Sequence, residues 1–198
     1  MATWENINGD MFDFSDYYSA IAEKLPAFSR IAEVGVADGK SAIFLAEKLE
    51  ELGKDFEFYF IDNMDYGGGK QITEIVKNIS LSGLGKRITL MPVGSLDAAA
   101  SFNDNFFDFV FLDSSHEYKQ TKAELILWWQ KVKDLGYLSG HDFNLYEDVR
   151  NAVNELIPNT NVFTTEVGTF KSIKIYDTDK GYGIYEIRKS WQAKLKYA

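Results

Sequence analysis

The chain has 198 residues, enough for one domain that buries a core without disulfide or metal staples. Its formal net charge of −9 repels phosphate backbones and anionic membranes, so neither a nucleic-acid nor a membrane partner is expected. It has no cysteine, which excludes disulfides, thiolate metal sites and a cysteine nucleophile, while 15 Phe, 11 Tyr and 4 Trp argue against disorder.

The start, Met1-Ala2-Thr3-Trp4-Glu5-Asn6, lacks a basic region followed by an apolar core, and no later apolar run approaches a membrane span. A cytoplasmic protein is expected, in keeping with the missing cysteines. Residues 9–25 carry Met11, Phe12, Phe14, Tyr17, Tyr18, Ile21 and Leu25, the pattern of an amphipathic helix or lid. From residue 30 onward, apolar runs that end in acidic or polar residues alternate with helical patterns, which signals parallel strands joined by helical crossovers. The runs predict strands over roughly 30–36, 56–62, 87–93, 107–113 and 136–141, with helices over roughly 40–52, 69–82, 95–101 and 118–133. The first of these helices keeps Ala42, Leu45, Ala46, Leu49 and Leu52 on one face and stops at Gly53.

In the helix at 118–133, Leu125, Ile126, Leu127, Trp128 and Trp129 form a band too wide for one amphipathic stripe. Either a tryptophan faces a partner or substrate lid, or both indoles fold over the sheet edge. After Asp142 a helix over roughly 146–157 is stopped by Pro158. Two alternating segments, Val162 to Tyr176 and Gly183 to Arg188, then predict an antiparallel hairpin at one sheet edge, and the tail from Lys189 is helical or loose. No linker divides the chain, so it reads as a single domain with an N-terminal part at 1–27, a core at 28–145 and a C-terminal part at 146–198.

The segment Arg30-Ile31-Ala32-Glu33-Val34-Gly35-Val36-Ala37-Asp38-Gly39-Lys40-Ser41 reads as a strand, a ligand-binding loop and a helix start. Gly35 and Gly39 admit positive φ and let a ligand approach the backbone, beside the unpaired N–H groups of the helix's first turn. A nicotinamide loop wants G-x-G-x-x-G to seat a pyrophosphate, whereas this chain has G-x-x-x-G with Glu33 two residues ahead. That spacing, E-x-G-x-x-x-G-x-S, resembles the first motif of the Rossmann-like methyltransferases that use S-adenosylmethionine. Their ligand is cationic and has no phosphate, which suits an acidic residue beside the loop. Many family members carry a third glycine where Ala37 stands.

The resemblance implies a cofactor site in which Glu33, Gly35, Ala37, Gly39 and Ser41 hold the methionine end. Asp62, at the tip of the second strand with Asn63 beside it, can accept both ribose hydroxyls; it can equally cap the loop that follows. Gly94 and Ser95, after the third strand, stand where the family frames the adenine with a small and a polar side chain. Ser95 also fits the N-cap of the next helix.

A second pattern is longer: Phe111-Leu112-Asp113-Ser114-Ser115-His116-Glu117-Tyr118, a helix, then Gly136-Tyr137-Leu138-Ser139-Gly140-His141-Asp142. F-L-D-x-x-H-x-Y followed by G-x-x-x-G-H-D resembles the small O-methyltransferases related to macrolide-sugar and cephalosporin-tailoring enzymes, over roughly residues 28–145. The implied fold is α/β and Rossmann-like: a mostly parallel seven-stranded sheet with helices on both faces and a C-terminal antiparallel hairpin. The implied reaction is methyl transfer from S-adenosylmethionine to a hydroxyl of a small molecule, of sugar or phenol type.

Asp113 and the His141-Asp142 pair end the fourth and fifth strands, expected to be neighbours about 4.8 Å apart. They can therefore converge on Mg²⁺ or another divalent metal that activates the acceptor hydroxyl. Asp113 also borders the cofactor, and Asp113, His116 and His141 are the candidate catalytic residues. Catechol-type relatives place a carboxylate and an amide where His141 and Asp142 stand, and an imidazole ligand shifts preference toward Mn²⁺, Fe²⁺ or Zn²⁺. Alternatively His141 only hydrogen-bonds or serves as base, or Asp113 and Asp142 merely cap loops. His116, with a near-neutral ordinary pKa, is a candidate base for a metal-independent O- or N-methyltransferase. A non-catalytic module that binds the nucleoside is the alternative of another class. Residues 1–27 and 143–198 carry no motif that names the acceptor, and a homo-oligomer is as compatible with the sequence as a monomer.

Overall fold

The computed structural model describes residues 3–8, 12–65, 70–156 and 173–189. A 3-10 turn at Trp4–Asn6 leads to α1 (Ser15–Lys24), β1 (Phe28–Val34), α2 (Lys40–Glu51), β2 (Asp55–Ile61), α3 (Gln71–Ser82), β3 (Ile88–Met91) and α4 (Ser95–Ala100). These are followed by β4 (Phe107–Leu112), α5 (Tyr118–Lys131), β5 (Val132–Gly140), α6 (Glu147–Leu156), β6 (Ile173–Tyr176) and β7 (Ile184–Arg188). The strands form one seven-stranded sheet in the order β3-β2-β1-β4-β5-β7-β6. Pairings among β1 to β5 are parallel, and β7 runs antiparallel between β5 and β6. This is the Rossmann-like methyltransferase fold that the sequence predicts.

Side chains of successive strand residues alternate between two cores. Phe56, Phe58 and Phe60 of β2, with Phe109 and Phe111 of β4, pack against α1, α2 and α3 on one face. Ala32 and Val34 of β1, with Val110 and Leu112 of β4, join α4, α5 and α6 on the other. Both faces are covered, so the strands read as nearly continuous apolar runs. Each fully buried phenylalanine contributes about 1.5–3 kcal/mol relative to exposure. Trp128 is 0% exposed and Trp129 5%, so both indoles fold in against the sheet and neither faces a partner.

The N-terminal helix is shorter than the predicted 9–25 stretch, with residues 9–11 lying outside the described residues. It is fixed to the sheet by its tyrosines: Tyr18 donates to Glu33, and the Tyr17 hydroxyl lies 2.5 Å from Ser139 Oγ and donates to Glu186 at 3.1 Å. Lys54 Nζ closes the C-terminal end of α1 by donating to the carbonyls of Ala22, Glu23 and Leu25. β5 starts at Val132, earlier than the predicted 136, with its pairing to β4 shifted between Phe107 and Phe109 and Leu135 at φ 68°. Lys133, Asp134 and an exposed Leu135 break the apolar run there and conceal the start of the strand. The predicted hairpin is present as β6 and β7; its expected residues 162–172, Pro158 and the tail from 190 lie outside the described residues. Among the described residues, no helix is long and apolar enough to cross a membrane.

Candidate active site

The strand order reverses between β1 and β4, and the crevice outside the carboxyl ends of such strands is where ligands bind in open α/β sheets. The loop from β1 to α2 lies at that point. Gly35, at φ 88°, has its N–H on the Ile61 carbonyl, and a Cβ there would sit 2.0 Å from the Asp113 carbonyl oxygen. Only glycine fits, and the contact seats the loop directly against the tip of β4, where Asp113 N–H also donates to Val34 O at 2.7 Å. Ala37, in the place of the family's third glycine, takes φ 45°, a left-handed conformation costing an L-residue about 1 kcal/mol.

Asp62 contributes to holding that conformation. Its Oδ2 accepts Ala37 N–H at 3.0 Å and its Oδ1 accepts Met64 N–H at 2.8 Å, so it caps its own loop and also ties down the glycine loop. A carboxylate accepts about four hydrogen bonds, which leaves lone pairs for a ribose. Asn63 is exposed and donates to Asp65. After β3, Gly94 is the N-cap residue of α4, and Ser95 is the first helical residue. Ser95 therefore does not cap the helix: its hydroxyl accepts the Trp128 indole N–H at 3.0 Å.

Glu33 departs most from its expected part. It is 1% exposed and bonded to Tyr18 at 2.7 Å and to Ser41 Oγ at 2.5 Å. Burial pushes its carboxyl up to about 8 against the lowering effect of those two bonds. Burial thus favours its uncharged form, and the side chain lies as a floor beneath the loop with both oxygens already hydrogen-bonded within the chain.

The second half of the site is at the neighbouring strand tips. Leu112 pairs with Gly140, and His141 N–H donates to Leu112 O at 3.1 Å, which brings Asp113 beside His141 and Asp142. One ligand atom from each of the three lies within 4.8 Å of the others. His141 Nδ1 is 3.3 Å from Asp142 Oδ1 and 3.7 Å from Asp113 Oδ1. Asp142 Oδ1 is buried without a hydrogen-bond partner, and Asp142 has φ 64°. The glycine of G-H-D is required for a local reason: a Cβ on Gly140 would meet the Tyr185 hydroxyl at 2.2 Å.

His116 joins from the β4–α5 loop, its Nε2 2.7 Å from Asp142 Oδ2 and its ring stacked on Tyr146 at 4.0 Å and 7°. The Asp142 carboxylate beside it raises its pKa more than burial lowers it, although Nε2 makes no well-aligned hydrogen bond. Burial lowers that of His141, but hydrogen bonding to Asp113 and the charges of Asp113, Asp142 and Asp13 outweigh it and hold it up at about 9. Burial raises the Asp113 carboxyl, partly offset by His141. A small, partly open recess is lined by Asp113, Ser114, His116, Glu124, His141 and Asp142, among others.

Two further residues complete the cluster, Asp13 and Tyr146. Asp13 Oδ1 lies 2.9 Å from His141 Nε2, and its other oxygen accepts Lys180 N–H at 3.0 Å. In the sequence Asp13 is one acid inside an aromatic stripe, with no spacing to connect it to His141. Tyr146 is anchored by its N–H on Asp142 O at 3.0 Å, and its closeness to the H-D pair was the only available signal.

The family model described as a methyltransferase domain matches residues 32–143. No curated protein matches. Among solved structures, a proposed rRNA-methylase of Clostridium thermocellum is 15% identical, covering 94% of this chain and 100% of that one, with a TM-score of 0.68. A cofactor-bound protein from MTB is 15% identical over 96% of this chain and 87% of its own, TM-score 0.66. An S-adenosylmethionine-dependent O-methyltransferase from Thermotoga maritima is 15% identical over 96% and 71%, TM-score 0.62. At such identities the structures share the fold. The family match spans more than half of the sequence and runs from the glycine loop through the His141-Asp142 pair, and by it the chain belongs to the methyltransferase domain family, as an S-adenosylmethionine-dependent methyltransferase.

Proposed function

We propose that the protein transfers the methyl group of S-adenosylmethionine to a hydroxyl oxygen of a small molecule, of sugar or phenol type, with a divalent cation held by Asp113, His141 and Asp142. The observation that carries this reading is the buried Asp142 Oδ1, which makes no hydrogen bond although His141 Nδ1 is 3.3 Å away, in a cluster whose ligand atoms lie within 4.8 Å of one another. Two carboxylates and an imidazole within that reach are a donor set that suits a divalent ion. Such an ion, when bound, lowers the pKa of a coordinated hydroxyl.

The remaining chemistry falls to the chain. The contact of Gly35 with the Asp113 carbonyl places the cofactor loop against this cluster, so methyl donor and acceptor can meet in line. The acceptor oxygen forms its bond to the methyl carbon as the carbon–sulfur bond breaks, and S-adenosylhomocysteine leaves. His116, oriented by Asp142 and Tyr146, stands beside the recess to take the hydroxyl proton. Asp62 is assigned to the ribose and Gly94-Ser95 to the adenine region. The charge of −9 supports a small acceptor over nucleic acid, and the lack of cysteine supports a reducing cytoplasm.

A second reading has its own observation: the 2.7 Å approach of His116 to Asp142 is that of a base and its orienting carboxylate, which needs no metal. The test is conversion of S-adenosylmethionine to S-adenosylhomocysteine over a panel of hydroxylated acceptors, with chelator and with Mg²⁺ or Mn²⁺ restored. Asp142→Ala should lower turnover on the order of 10²-fold or more while cofactor affinity stays within a few-fold, because the ion acts on the acceptor. Full activity in excess chelator overturns the metal and leaves the His116 reading.

A further inference from the structure

We infer that Asp13 is a positioning residue for the metal ligand His141: it fixes the imidazole with its proton on Nε2 and its Nδ1 lone pair toward Asp113 and Asp142, making a site that prefers nitrogen-accepting divalent ions over Mg²⁺. This rests on the metal reading above. The Asp13 side chain is 1% exposed, and its Oδ1 lies 2.9 Å from Nε2. An ionised carboxylate only accepts, so the ring nitrogen facing it must carry the hydrogen. The second oxygen accepts Lys180 N–H at 3.0 Å, which orients the carboxylate, and the Asp13 carbonyl accepts Asp179 N–H at 3.2 Å, which fixes the backbone there. Phe14 packs on the imidazole at 4.8 Å between centroids and Tyr182 meets it edge-on at 5.7 Å, which holds the plane of the ring. What remains is Nδ1, within 3.3 Å and 3.7 Å of two carboxylate oxygens, where an ion would take the place of the ring hydrogen that those carboxylates hold without it. A carboxylate behind a histidine ligand is the usual device for fixing the tautomer and raising ligand basicity. Mg²⁺ prefers oxygen and water, while Mn²⁺ and later ions accept imidazole more readily.

Asp13→Asn separates this role from mere packing. Asparagine has one acceptor where aspartate has two. If its oxygen serves Lys180 N–H, its amide N–H₂ faces Nε2, demands a lone pair there, and moves the ring hydrogen to Nδ1 in the ion's place. If the amide is flipped, two donors collide at Lys180. The experiment loads metal-free protein with Mn²⁺ or Mg²⁺ and measures both affinities by calorimetry, with pulsed electron paramagnetic resonance of the Mn²⁺ form.

The wild type should show a directly bound nitrogen, and Asp13→Asn should lose it. Mn²⁺ affinity should fall about 10–100-fold, the usual range for a lost orienting group, and Mg²⁺ affinity by clearly less. Equal weakening of both ions would mean general loosening and would overturn the inference. If the variant fails to fold, ¹⁵N shifts of His141 in Zn²⁺-loaded wild type decide it: a hydrogen on Nε2 supports the role, and one on neither or the other nitrogen overturns it. Ion binding without any nitrogen coupling overturns Asp13's role and leaves the metal reading standing. Binding of neither ion by the wild type overturns the metal reading itself.

Discussion

Glu33→Gln tests the account of the cofactor loop's floor through stability alone. Glu33 is 1% exposed, and its carboxyl is pushed from 4.5 in an unfolded chain to about 8 by burial. The native state therefore holds a proton that the unfolded state releases between those two values. Stability from this group is present in full below about pH 4.5, declines as pH rises through the window, and is lost above about pH 8. The span of about 3.5 units, from 4.5 to 8, corresponds to about 5 kcal/mol at roughly 1.4 kcal/mol per unit. Glutamine cannot ionise, and its amide can still meet the oxygens of Tyr18 and Ser41. Urea unfolding from pH 5 to 8.5 should show the two proteins within about 1 kcal/mol at the acid end, since one neutral hydrogen-bonded amide replaces one neutral acid. The variant should then become progressively the more stable of the two. Parallel stability profiles across that range would mean that Glu33 ionises at its ordinary pKa and that the buried, neutral floor is wrong.

Gly35→Ala should lose cofactor binding and about 3 kcal/mol or more of stability, because its Cβ meets the Asp113 carbonyl at 2.0 Å, backbone against backbone; a normal melting point and normal calorimetric binding would refute the loop geometry. Asp62→Ala should weaken S-adenosylmethionine binding by roughly 1.5–3 kcal/mol, the scale for hydrogen bonds to a charged acceptor, with NAD not bound comparably by the wild type. Tight NAD binding without binding of the sulfonium would end that assignment. Mixed DNA and RNA oligonucleotides should show no salt-sensitive affinity in fluorescence anisotropy at physiological ionic strength, given the charge of −9; submicromolar binding that weakens steeply with salt would overturn the small-molecule acceptor.

The parts of this site that were legible in the sequence are those that the parallel sheet itself positions. Asp113 and His141-Asp142 follow strands whose apolar runs are plain, and pairing of Leu112 with Gly140 is enough to bring their side chains together. Gly35 and Gly140 were legible as motif glycines, though their physical reasons, the Asp113 carbonyl and the Tyr185 hydroxyl, lie on other elements. What was not legible is contributed across the layers. Asp13 stands 128 residues from His141 and reaches it because α1 is held on the sheet by Tyr17 and Tyr18. The raised pKa of Glu33 has the same origin, since the packed helix buries it, while the bond from Tyr18 works the other way and lowers it. A strand-tip motif thus specifies which donor atoms converge, whereas the N-terminal segment packed over the sheet supplies the groups that cover and bond to them. Carboxylates on one sheet consequently take different surroundings: Glu33 is buried and its pKa raised despite its two hydroxyl bonds, while Asp142 faces two imidazoles and lines the recess. The covering layer, more than the motif, thus shields Glu33 beneath the glycine loop while leaving Asp113, Asp142 and His116 gathered at the neighbouring strand tips.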